Sequence, residues 1–482
     1  MKKIAKVLLV RTTNRKTMIP PLGLLYIAGA VKEWSRKNKC EIKILDFMAD
    51  AGEEGVFTRC LKDFAPDIIG FSSLDCEYPE FKALAMLSRE SVPQSVIISG
   101  GPLSSNYYKE ILKNKLADFT VIGEGEITIT ELLDALTMET SPEFVAGLAF
   151  IKDGSIFETG ARELIADLDK VAFPAWDLID IKRYAAYPNW NGMVWEKSYA
   201  PILTSRGCSY YCIYCHNLFG KKVRARSVDN LLSEIILLYN DYGIREFHII
   251  DDFFNFDIER LKIICKAIIA KKLKIKISFP NALRVDRMDK EAVTLLKKAG
   301  AYKINYAIET ASPRLQKLIR KNLDLDKARE IIDFTSKEGI ICFGYFMMGF
   351  PTETVKEIKQ TISFAVKSRL DSAKFFKVVA HKNTELARCV AQKYPVEHFN
   401  NGEDVDYYGW LTNFSDIPSE TLNNLILNAH FKFYSKCSRI FRIVTKYKNH
   451  FGAFVNIIKM LSIAVISGFS DQKEDLSFKI NS

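Results

Sequence analysis

Short apolar runs alternate with helix-like segments over residues 1–137, and this alternation restricts the fold more than any other feature of the chain. Apolar or β-branched runs of strand length, bounded by turn residues, predict β-strands. Their alternation with helices at this spacing predicts the α/β class: a Rossmann-like, doubly wound parallel sheet with helices on both faces. The predicted strands are Ile4–Val10, Glu41–Asp46, Asp67–Ser73, Ser95–Gly101 and Asp118–Gly123, and the helices between them include Leu22–Lys37 and Pro79–Arg89.

The alternation returns over residues 199–390, where about six further β/α units are predicted. Six units are too few to close an eight-unit barrel, so the pattern predicts a partial (β/α)6 barrel of the TIM type, with its chemistry at the carboxyl ends of the strands. The predicted strands are Ala200–Ser205, Glu246–Asp252, Lys274–Phe279, Tyr302–Glu309, Ile341–Gly349 and Ser372–Val379. The predicted helices are Val228–Tyr239, Ile258–Lys271, Lys290–Ala299, Leu325–Lys337 and Glu353–Ser368.

Two other regions complete the predicted organisation. Residues 138–198 form a connector with a β-hairpin, because Asp153-Gly154 lies between the strand-like runs Val145–Phe150 and Ser155–Glu158 and suits a tight turn. Residues 391–482 are predicted to be a mostly helical C-terminal region, in which Leu422–Ser435 and Phe451–Ile466 show apolar periodicity.

Small residues occur at four strand ends of the first alternating region. In a parallel sheet, ligands bind outside the carboxyl ends of the strands, so small residues there predict a flat, accessible floor for a large ligand. No G-x-G-x-x-G fingerprint or Walker loop is present, which disfavours a dinucleotide or a nucleoside triphosphate. The residues predicted to form this floor are Pro21, Leu22, Gly23, Ser72, Ser73, Leu74, Gly100, Gly101, Gly123, Glu124 and Gly125.

Three cysteines follow the apolar run Pro201–Leu203 in a C-x3-C-x2-C arrangement: Cys208, Cys212 and Cys215. Three thiolates on one short loop can bind three irons of a [4Fe-4S] cubane and leave the fourth iron open to a small molecule. A structural zinc site needs a fourth Cys or His at a matching distance, and no second C-x2-C exists in the chain. The spacing favours a cluster over zinc or three unrelated thiols.

This loop, with Tyr214 before its last cysteine, resembles the signature of radical S-adenosylmethionine (SAM) enzymes. The resemblance implies a [4Fe-4S] cluster whose open iron chelates SAM and whose electron cleaves it to a 5'-deoxyadenosyl radical. It also implies SAM contacts from several strand ends: adenine at Tyr214, the methionine amine at Asp252, and the carboxylate and ribose at Arg284 and Glu309. Gly349 and Pro351 would form the adenine-side turn.

One of these positions departs from the wider pattern of the family. Many radical SAM enzymes have Gly-Gly-Glu where this chain has Asp251-Asp-Phe-Phe254, a run similar to that of the cobalamin-dependent subgroup. An acidic pair at a strand end can equally be a solvated turn, and this alternative stays open for Asp252.

The first alternating region resembles the cobalamin-binding domain that precedes the radical domain in cobalamin-dependent radical SAM enzymes. The matching residues are Pro20-Pro-Leu-Gly23 and the small-residue turns after the later strands. The classical domain supplies a His ligand to cobalt from the loop after its first strand. Here that loop, Arg11–Ile19, has no His, and all six histidines follow Cys208. The resemblance therefore implies base-off cobalamin without a His ligand; the rival interpretations are a flavodoxin-like receiver and a domain without ligand.

The family resemblance implies a methyltransferase acting on an unactivated carbon or a phosphinate phosphorus. The alternatives are a non-methylating cyclase, oxidase or rearrangement enzyme that uses cobalamin as a redox partner, and a non-catalytic cobalamin or iron–sulfur sensor. The absence of another grouped set of cysteines disfavours relatives that use a second cluster. The expected partners are a small-molecule or peptide substrate and an external one-electron reductant of the flavodoxin or ferredoxin type.

The composition limits the cellular location and the remaining partners that can be expected. Ten irregularly spaced cysteines and no signal-peptide pattern predict a reducing cytoplasm. A net charge of +10 suits an anionic partner, but the lysines are scattered along helix-like segments, so no nucleic acid is predicted. Peripheral membrane contact is a less favoured interpretation than packing for the basic residues of the tail, Arg439, Arg442, Lys446 and Lys448.

Overall fold

The computed structural model describes residues 4–13, 19–47, 49, 54–186, 194–216, 218–391 and 413–446. The chain divides into two compact units. The first unit consists of Met1–Leu283, Thr294–Tyr302 and Val379–Tyr407, and the second of Arg284–Val293, Lys303–Val378 and Tyr408–Ser482. The first unit therefore contains the whole N-terminal alternation together with the three cysteines.

Five parallel strands of the N-terminal sheet lie in the order β2–β1–β3–β4–β5, which confirms the predicted doubly wound fold. Helix α1 packs beside α5, and the indole Nε1 of Trp34 donates to Asp134 at 2.7 Å between them. The strands are β1 (Lys6–Arg11), β2 (Glu41–Asp46), β3 (Ile68–Ser72), β4 (Val96–Gly100) and β5 (Phe119–Val121). The helices are α1 (Leu22–Asn38), α2 (Glu54–Phe64), α3 (Tyr78–Ser91), α4 (Gly101–Lys113) and α5 (Glu126–Met138).

The predicted hairpin is present as β6 (Leu148–Lys152) and β7 (Ser155–Glu158), and it extends the N-terminal sheet. Strand β6 pairs antiparallel with β5, so that Phe119 lies opposite Phe150 with ring centroids 5.5 Å apart. Residues 138–198, which the sequence analysis predicted to be a connector, thus begin with a β-hairpin that belongs to the preceding sheet.

In the rest of the first unit, three parallel strands lie in the order β8–β11–β12, from β8 (Ala200–Ile202), β11 (Glu246–Ile249) and β12 (Lys276–Leu283). Between the first two of them, the short strands β9 (Ser205–Arg206) and β10 (Arg224–Ala225) form an antiparallel pair that the sequence pattern did not predict. The helices of this part are α6 (Val228–Asp241), α7 (Ile258–Ala270) and α12 (Glu385–Ala391).

The second unit contains parallel strands in the order β13–β14–β15. Six strands alternating with helices are therefore present after residue 199, as predicted. The strands are β13 (Ala301–Glu309), whose first two residues belong to the first unit, β14 (Ile341–Met348) and β15 (Ser372–Lys377). The helices are α8 (Lys290–Ala299), whose residues after Val293 belong to the first unit, α9 (Pro313–Leu318), α10 (Leu325–Lys337), α11 (Val355–Lys367), α13 (Ser419–Tyr434) and α14 (Cys437–Lys446).

The basic stretch of the tail forms α14 and packs within the second unit. Arg439 is 1% exposed and donates to the backbone carbonyl of Leu370 at 2.9 Å. Arg442 and Lys446 contact the carboxylate of Asp371 at 3.3 and 2.7 Å, which agrees with the packing interpretation. Lys448 and the predicted helix at 451–466 lie outside the described residues. In the described part of the chain, no helix has the length and apolar character needed to cross a membrane.

Candidate cofactor site

The three cysteines lie on a loop, residues 207–223, whose two ends are joined by the β9–β10 pair. The loop starts at Gly207, which has a φ of +94°. A Cβ at this position would come within 2.6 Å of the carbonyl oxygen of Lys222. Only glycine tolerates both the left-handed backbone and this close approach, so the first turn of the loop requires the residue found there.

Backbone hydrogen bonds shape the loop around the cysteines. The N–H of Cys208 donates to the carbonyl of Gly220 at 3.2 Å, and the N–H of Cys215 donates to the carbonyl of Cys212 at 3.2 Å. Cys208 and Cys212 are half-buried and Cys215 is exposed. Burial is the main cause that raises the pKa of the Cys208 thiol, and the charges of Cys212 and Asp252 add to it. A bound cation would reverse this effect, because a coordinating thiol is deprotonated.

The described residues show no preformed site for a single metal ion. Within residues 4–446, as far as the structure describes them, no three Cys, His, Asp or Glu side chains converge to hold one metal ion. A tetrahedral zinc site needs such convergence, whereas each thiolate of a cubane binds a different iron. The choice between a cluster and zinc therefore stays a prediction from the spacing of the cysteines.

The adjacent acids Asp251 and Asp252 have different environments. Asp251 is 1% exposed and accepts hydrogen bonds from Thr204 N, Thr204 Oγ1 and Ser205 Oγ at 2.7, 2.6 and 2.6 Å. Burial nevertheless raises the pKa of Asp251 to about 6. Asp252 is half-buried and accepts a hydrogen bond from the N–H of Gly207. Asp251 thus supports the strand that leads into the cysteine loop, and Asp252 lies beside the loop itself.

Two arginines at the base of the loop bind a glutamate of the N-terminal sheet. Arg206 and Arg224 contact Glu124 at 2.9 and 2.8 Å, and Arg206 also contacts Glu126 at 2.5 Å. The sequence interpretation placed Glu124 on the ligand floor, and the arginines were not singled out. In the structure both carboxylate oxygens of Glu124 accept guanidinium hydrogen bonds, so any contact of this residue with a ligand stays a prediction.

The small residues at the N-terminal strand ends fall into two groups. Gly23 and Gly123 are exposed, and a Cβ added to either residue would have no atom within 4 Å. Leu74 adds an apolar side chain that is 45% exposed. A Cβ at Gly101 or Gly125, in contrast, would lie 2.9 Å from Ser73 O or Ile27 Cδ1. The open glycines fit a flat ligand, and the other two are required for packing.

At β1 and β3, where the strand order reverses, the first polar groups are hydroxyls and one buried acid. Thr12 Oγ1 lies 2.9 Å from Ser73 Oγ and 3.2 Å from Glu77 Oε2. Burial raises the pKa of Glu77 above the ordinary value. Ligands bind at such a switch point in doubly wound sheets, and residues 14–18 of the adjoining loop lie outside the described residues.

In the second unit, Arg284 and Glu309 are connected through Lys321. Arg284 forms an ion pair with Asp286 at 2.9 Å and donates to the carbonyl of Lys321 at 2.7 Å. Glu309 pairs with the ammonium of Lys321 at 3.1 Å. Glu309 has a φ of +65° and follows a register shift in β13, a combination of strain and bulge that is typical of functional positions.

The turn after β14 is closed by a glutamate that the sequence analysis did not single out. Glu353 is 2% exposed, and its Oε2 accepts from Gly349 N at 2.6 Å and Phe350 N at 3.1 Å. Its Oε1 is buried with no hydrogen-bond partner among the described residues. Burial raises the pKa of Glu353 to about 7. Gly349 has a φ of +91°, and Pro351 is half-buried.

The predicted site residues are therefore grouped by unit. The first unit holds the three cysteines with Tyr214 and Asp252, and the second holds Arg284, Glu309, Gly349 and Pro351. Arg206, Arg224 and Lys321 were missed because each is recognised only by its distant acidic partner. Glu353 was visible in the run that begins at Gly349, but its role in the turn depends on the backbone amides that point toward it.

Two family models match the chain. The model described as B12 binding domain matches residues 8–133, which contain the five parallel strands. The model described as Radical SAM superfamily matches residues 202–365, which contain the cysteine loop. The chain therefore contains a B12-binding domain followed by a radical SAM domain, the two domains that the sequence analysis expected of a cobalamin-dependent radical SAM enzyme.

Curated relatives cover most of the chain at 28% identity. An uncharacterized methyltransferase of Pyrococcus horikoshii aligns over 90% of this chain and 93% of its own length. The cytidylyl-2-hydroxyethylphosphonate methyltransferase of Streptomyces wedmorensis aligns over 77% of this chain and 78% of its own. The anaerobic magnesium-protoporphyrin IX monomethyl ester cyclase of Synechocystis aligns over 77% and 73%. Methyltransferases and a cyclase thus both occur among the relatives.

Two solved structures share the fold. The radical SAM methyltransferase TsrM from Kitasatospora setae, solved with cobalamin and a [4Fe-4S] cluster, has a TM-score of 0.71 at 15% identity, over 97% of this chain and 100% of that chain. The cobalamin-dependent radical SAM enzyme OxsB, solved with aqua-cobalamin and SAM, has a TM-score of 0.72 at 16% identity, over 96% and 79%. At these identities the similarity establishes the fold.

Proposed function

We propose that this chain is a radical SAM methyltransferase that transfers a methyl group by way of cobalamin to an unactivated carbon or a phosphinate phosphorus. One observation carries the proposal: a single compact unit contains both the triple-cysteine loop and a doubly wound sheet with open glycines at its strand ends. The methyltransferases among the relatives support the choice of reaction.

In this proposal the residues of the cysteine loop hold the cluster. Cys208, Cys212 and Cys215 each bind one iron, and Gly207 permits the tight turn that brings the backbone close. Asp252 holds the amine of SAM, and Tyr214 contacts its adenine through the backbone. When bound, the cluster supplies the electron that cleaves SAM, and cobalamin carries the methyl group.

The family resemblance assigns four further SAM contacts to residues that belong to the second unit. Arg284 and Glu309 are assigned to the carboxylate and ribose of SAM, and Gly349 and Pro351 to the adenine-side turn. In the structure Asp286 and Lys321 neutralise Arg284 and Glu309, so SAM would compete with existing ion pairs or share them. A SAM-induced exchange of partners is favourable only if the new contacts are at least as strong.

Cobalamin is assigned to the carboxyl ends of the N-terminal strands without a His ligand to cobalt. The support is that no histidine precedes Cys208 and that hydroxyls and a buried acid line the switch point. The electron paramagnetic resonance spectrum of the cob(II)alamin form is expected to show no nitrogen hyperfine splitting from an axial ligand. Such splitting would contradict this assignment.

The substrate is proposed to be a small molecule or a peptide, and the electron donor a flavodoxin or ferredoxin in the cytoplasm. A cytoplasmic location suits a cluster that must stay reduced, and it matches the irregular cysteine spacing. A second candidate function, non-methylating cyclisation, is favoured by the cyclase among the relatives.

Product analysis separates the two functions. The protein is reconstituted anaerobically with iron, sulfide and cobalamin, and it is then incubated with a one-electron reductant and SAM that carries a CD3 group. Methyl transfer predicts S-adenosylhomocysteine together with CD3 label recovered with cobalamin. Formation of 5'-deoxyadenosine without either product would contradict methyl transfer and favour the cyclase-type reaction.

A further inference from the structure

The base of the cysteine loop brings two positive charges into direct opposition. Arg206 and Arg224 face each other across the β9–β10 pair, one residue before and one residue after the loop. Both are buried, with 4% and 6% of their surfaces exposed. Like charges directly opposite on an antiparallel pair destabilise the pairing, so the loop needs a counter-charge to close.

Glu124 supplies this counter-charge from the turn between β5 and α5. Its Oε1 accepts from Arg206 at 2.9 Å, and its Oε2 accepts from Arg224 at 2.8 Å and from the N–H of Ile165 at 2.8 Å. The carboxylate is buried, which opposes its ionisation, but the hydrogen bonds from Arg224 and Arg206 outweigh this effect and lower the pKa of Glu124. Glu124 therefore remains charged.

Glu126 completes the cluster, so that two acids balance two bases. It contacts Arg206 at 2.5 Å, while the second nitrogen of Arg224 donates to the carbonyl of Phe219 inside the loop at 2.9 Å. Each arginine thus joins the loop to the N-terminal sheet. Removal of Glu124 alone would leave two buried guanidiniums with one carboxylate.

We propose that Glu124 is a positioning residue for the iron–sulfur cluster: it closes the base of the loop that carries Cys208, Cys212 and Cys215. A turn of the B12-binding domain thereby controls how firmly the radical SAM domain holds its cluster. The inference rests on the proposed function in one respect, namely that the cluster binds these three cysteines.

The direct test is the rate at which a chelator removes iron from the anaerobically reconstituted full-length protein, without SAM or substrate. Loss of outer-shell partners typically weakens metal binding about 10- to 100-fold. Glu124→Gln is expected to accelerate iron release by about this factor, followed by the decay of the cluster absorbance, and to change the electron paramagnetic resonance spectrum of the reduced cluster. A wild-type release rate would overturn the proposal.

A double variant distinguishes positioning from general destabilisation. Glu124→Gln combined with Arg224→Gln removes one acid and one base, so the remaining Arg206–Glu126 pair is balanced. With Arg224→Gln measured alone as well, iron release from the double variant is expected to be accelerated less than the product of the two single-variant accelerations, because the effects of contacting residues are not additive. A double variant whose acceleration equals or exceeds that product would overturn the proposal.

A control ion pair is available in the N-terminal domain. Arg89 of α3 forms a bidentate pair with Asp118 at 2.9 and 2.8 Å, and the two side chains are 30% and 38% exposed. Arg89→Gln removes an arginine–carboxylate pair outside the Glu124 cluster and should release iron at the wild-type rate; accelerated release would overturn the assignment to Glu124.

If Glu124→Gln does not fold, Arg224→Lys tests the same contact, because lysine keeps the charge but cannot bond Glu124, Ile165 and Phe219 together. Faster release is expected, and a wild-type rate would overturn the proposal. Failure of the proposed function would be seen in the wild-type protein, before any variant is made. In that case the wild-type protein would assemble no cluster or would transfer no CD3 group.

Discussion

Apart from the buried acids Glu77 and Glu124 of the N-terminal sheet, the carboxyl ends of the strands carry different kinds of residues in the two domains. In the N-terminal sheet they carry open glycines and an exposed leucine, as at Gly23, Leu74 and Gly123. After β11, β13 and β14 they carry acids, namely Asp252, Glu309 and Glu353. The first arrangement suits a large ligand that is recognised by shape, and the second suits a small, charged ligand that is recognised by hydrogen bonds.

The two kinds of residue also differ in what their backbone conformation costs, since glycine adopts a left-handed φ, such as the +84° of Gly123, without strain. Gly23 has no unusual backbone angle, and its importance for a ligand is that it leaves empty space beside the backbone. Glu309 adopts a left-handed conformation, a costly choice for a residue with a side chain. Shape recognition thus depends on the absence of atoms, while charge recognition depends on side chains held in fixed directions.

The largest expected effect is the loss of the cluster from one domain while the other domain still binds cobalamin. Cys208→Ser should abolish the cluster absorbance and 5'-deoxyadenosine formation, because a serine hydroxyl does not replace a thiolate ligand. Cobalamin binding should remain, because Cys208 lies on the loop 207–223 and is not one of the residues assigned to the floor of the N-terminal sheet. The measurements are visible spectra of the anaerobically reconstituted protein and product chromatography. Cys389→Ser, at an exposed cysteine of α12, is the control and should retain both properties.

The next largest effect tests shape recognition. Gly23→Leu should weaken cobalamin binding about 5- to 150-fold, because a side chain in a well-packed interface costs about 1–3 kcal/mol. The cluster spectrum should stay unchanged. Gly55→Leu is a matched control, because Gly55 also lies in a helix with no atom within 4 Å of the Cβ position. Equal cobalamin affinities of the two variants, measured by equilibrium titration, would contradict the assigned floor.

A smaller effect tests charge recognition. Asp252→Asn should weaken SAM binding by about tenfold, because it removes one charge-assisted hydrogen bond from a half-buried carboxylate. Equilibrium binding of SAM to the reconstituted protein is the measurement. Asp229→Asn, at an exposed acid of α6, changes the net charge equally and should not alter the affinity. If both variants bind SAM as the wild type does, Asp252 belongs to a solvated turn.

The last effect concerns the stability of the fold and its dependence on pH, and not the binding of a ligand. Because burial raises the pKa of Glu353 from 4.5 to about 7, the folded state binds this proton more tightly than the unfolded state. The associated stability is present below pH 4.5 and is lost as pH rises through 7, on the order of 3 kcal/mol in total. Glu353→Gln mimics the protonated form, so its melting temperature should fall less than that of the wild type between pH 5 and 8. Parallel declines in a thermal scan would contradict the assignment.

Local patterns predicted most of the fold. The strand Glu41–Asp46 and the helices Lys290–Ala299 and Leu325–Lys337 have the predicted limits, because periodicity and end signals are encoded within each segment. The pairing of β6 with β5 and the limits and packing partners of the helix Cys437–Lys446 were not predicted, since they depend on residues distant in sequence.

The residues of the candidate site were likewise predictable only where a local sequence pattern identifies them. The three cysteines and Gly207 could be found because their spacing carries the chemistry. The partners of the charged residues could not be found: Glu124 binds arginines 82 and 100 residues later, and Glu309 binds a lysine 12 residues later on the chain. Only tertiary packing decides which opposite charge reaches a buried carboxylate.

The order of the buried charges along the chain has a consequence for biosynthesis. Arg224 follows Glu124 by 100 residues, so at roughly 5–20 residues per second the ribosome delivers it about 5–20 s later. Iron uptake by nascent chains arrested before and after residue 224 would reveal the order of assembly. We expect the N-terminal domain to be complete first and to serve as the template on which the cysteine loop closes, so that iron reaches the thiols only after the domain that would hold cobalamin has formed.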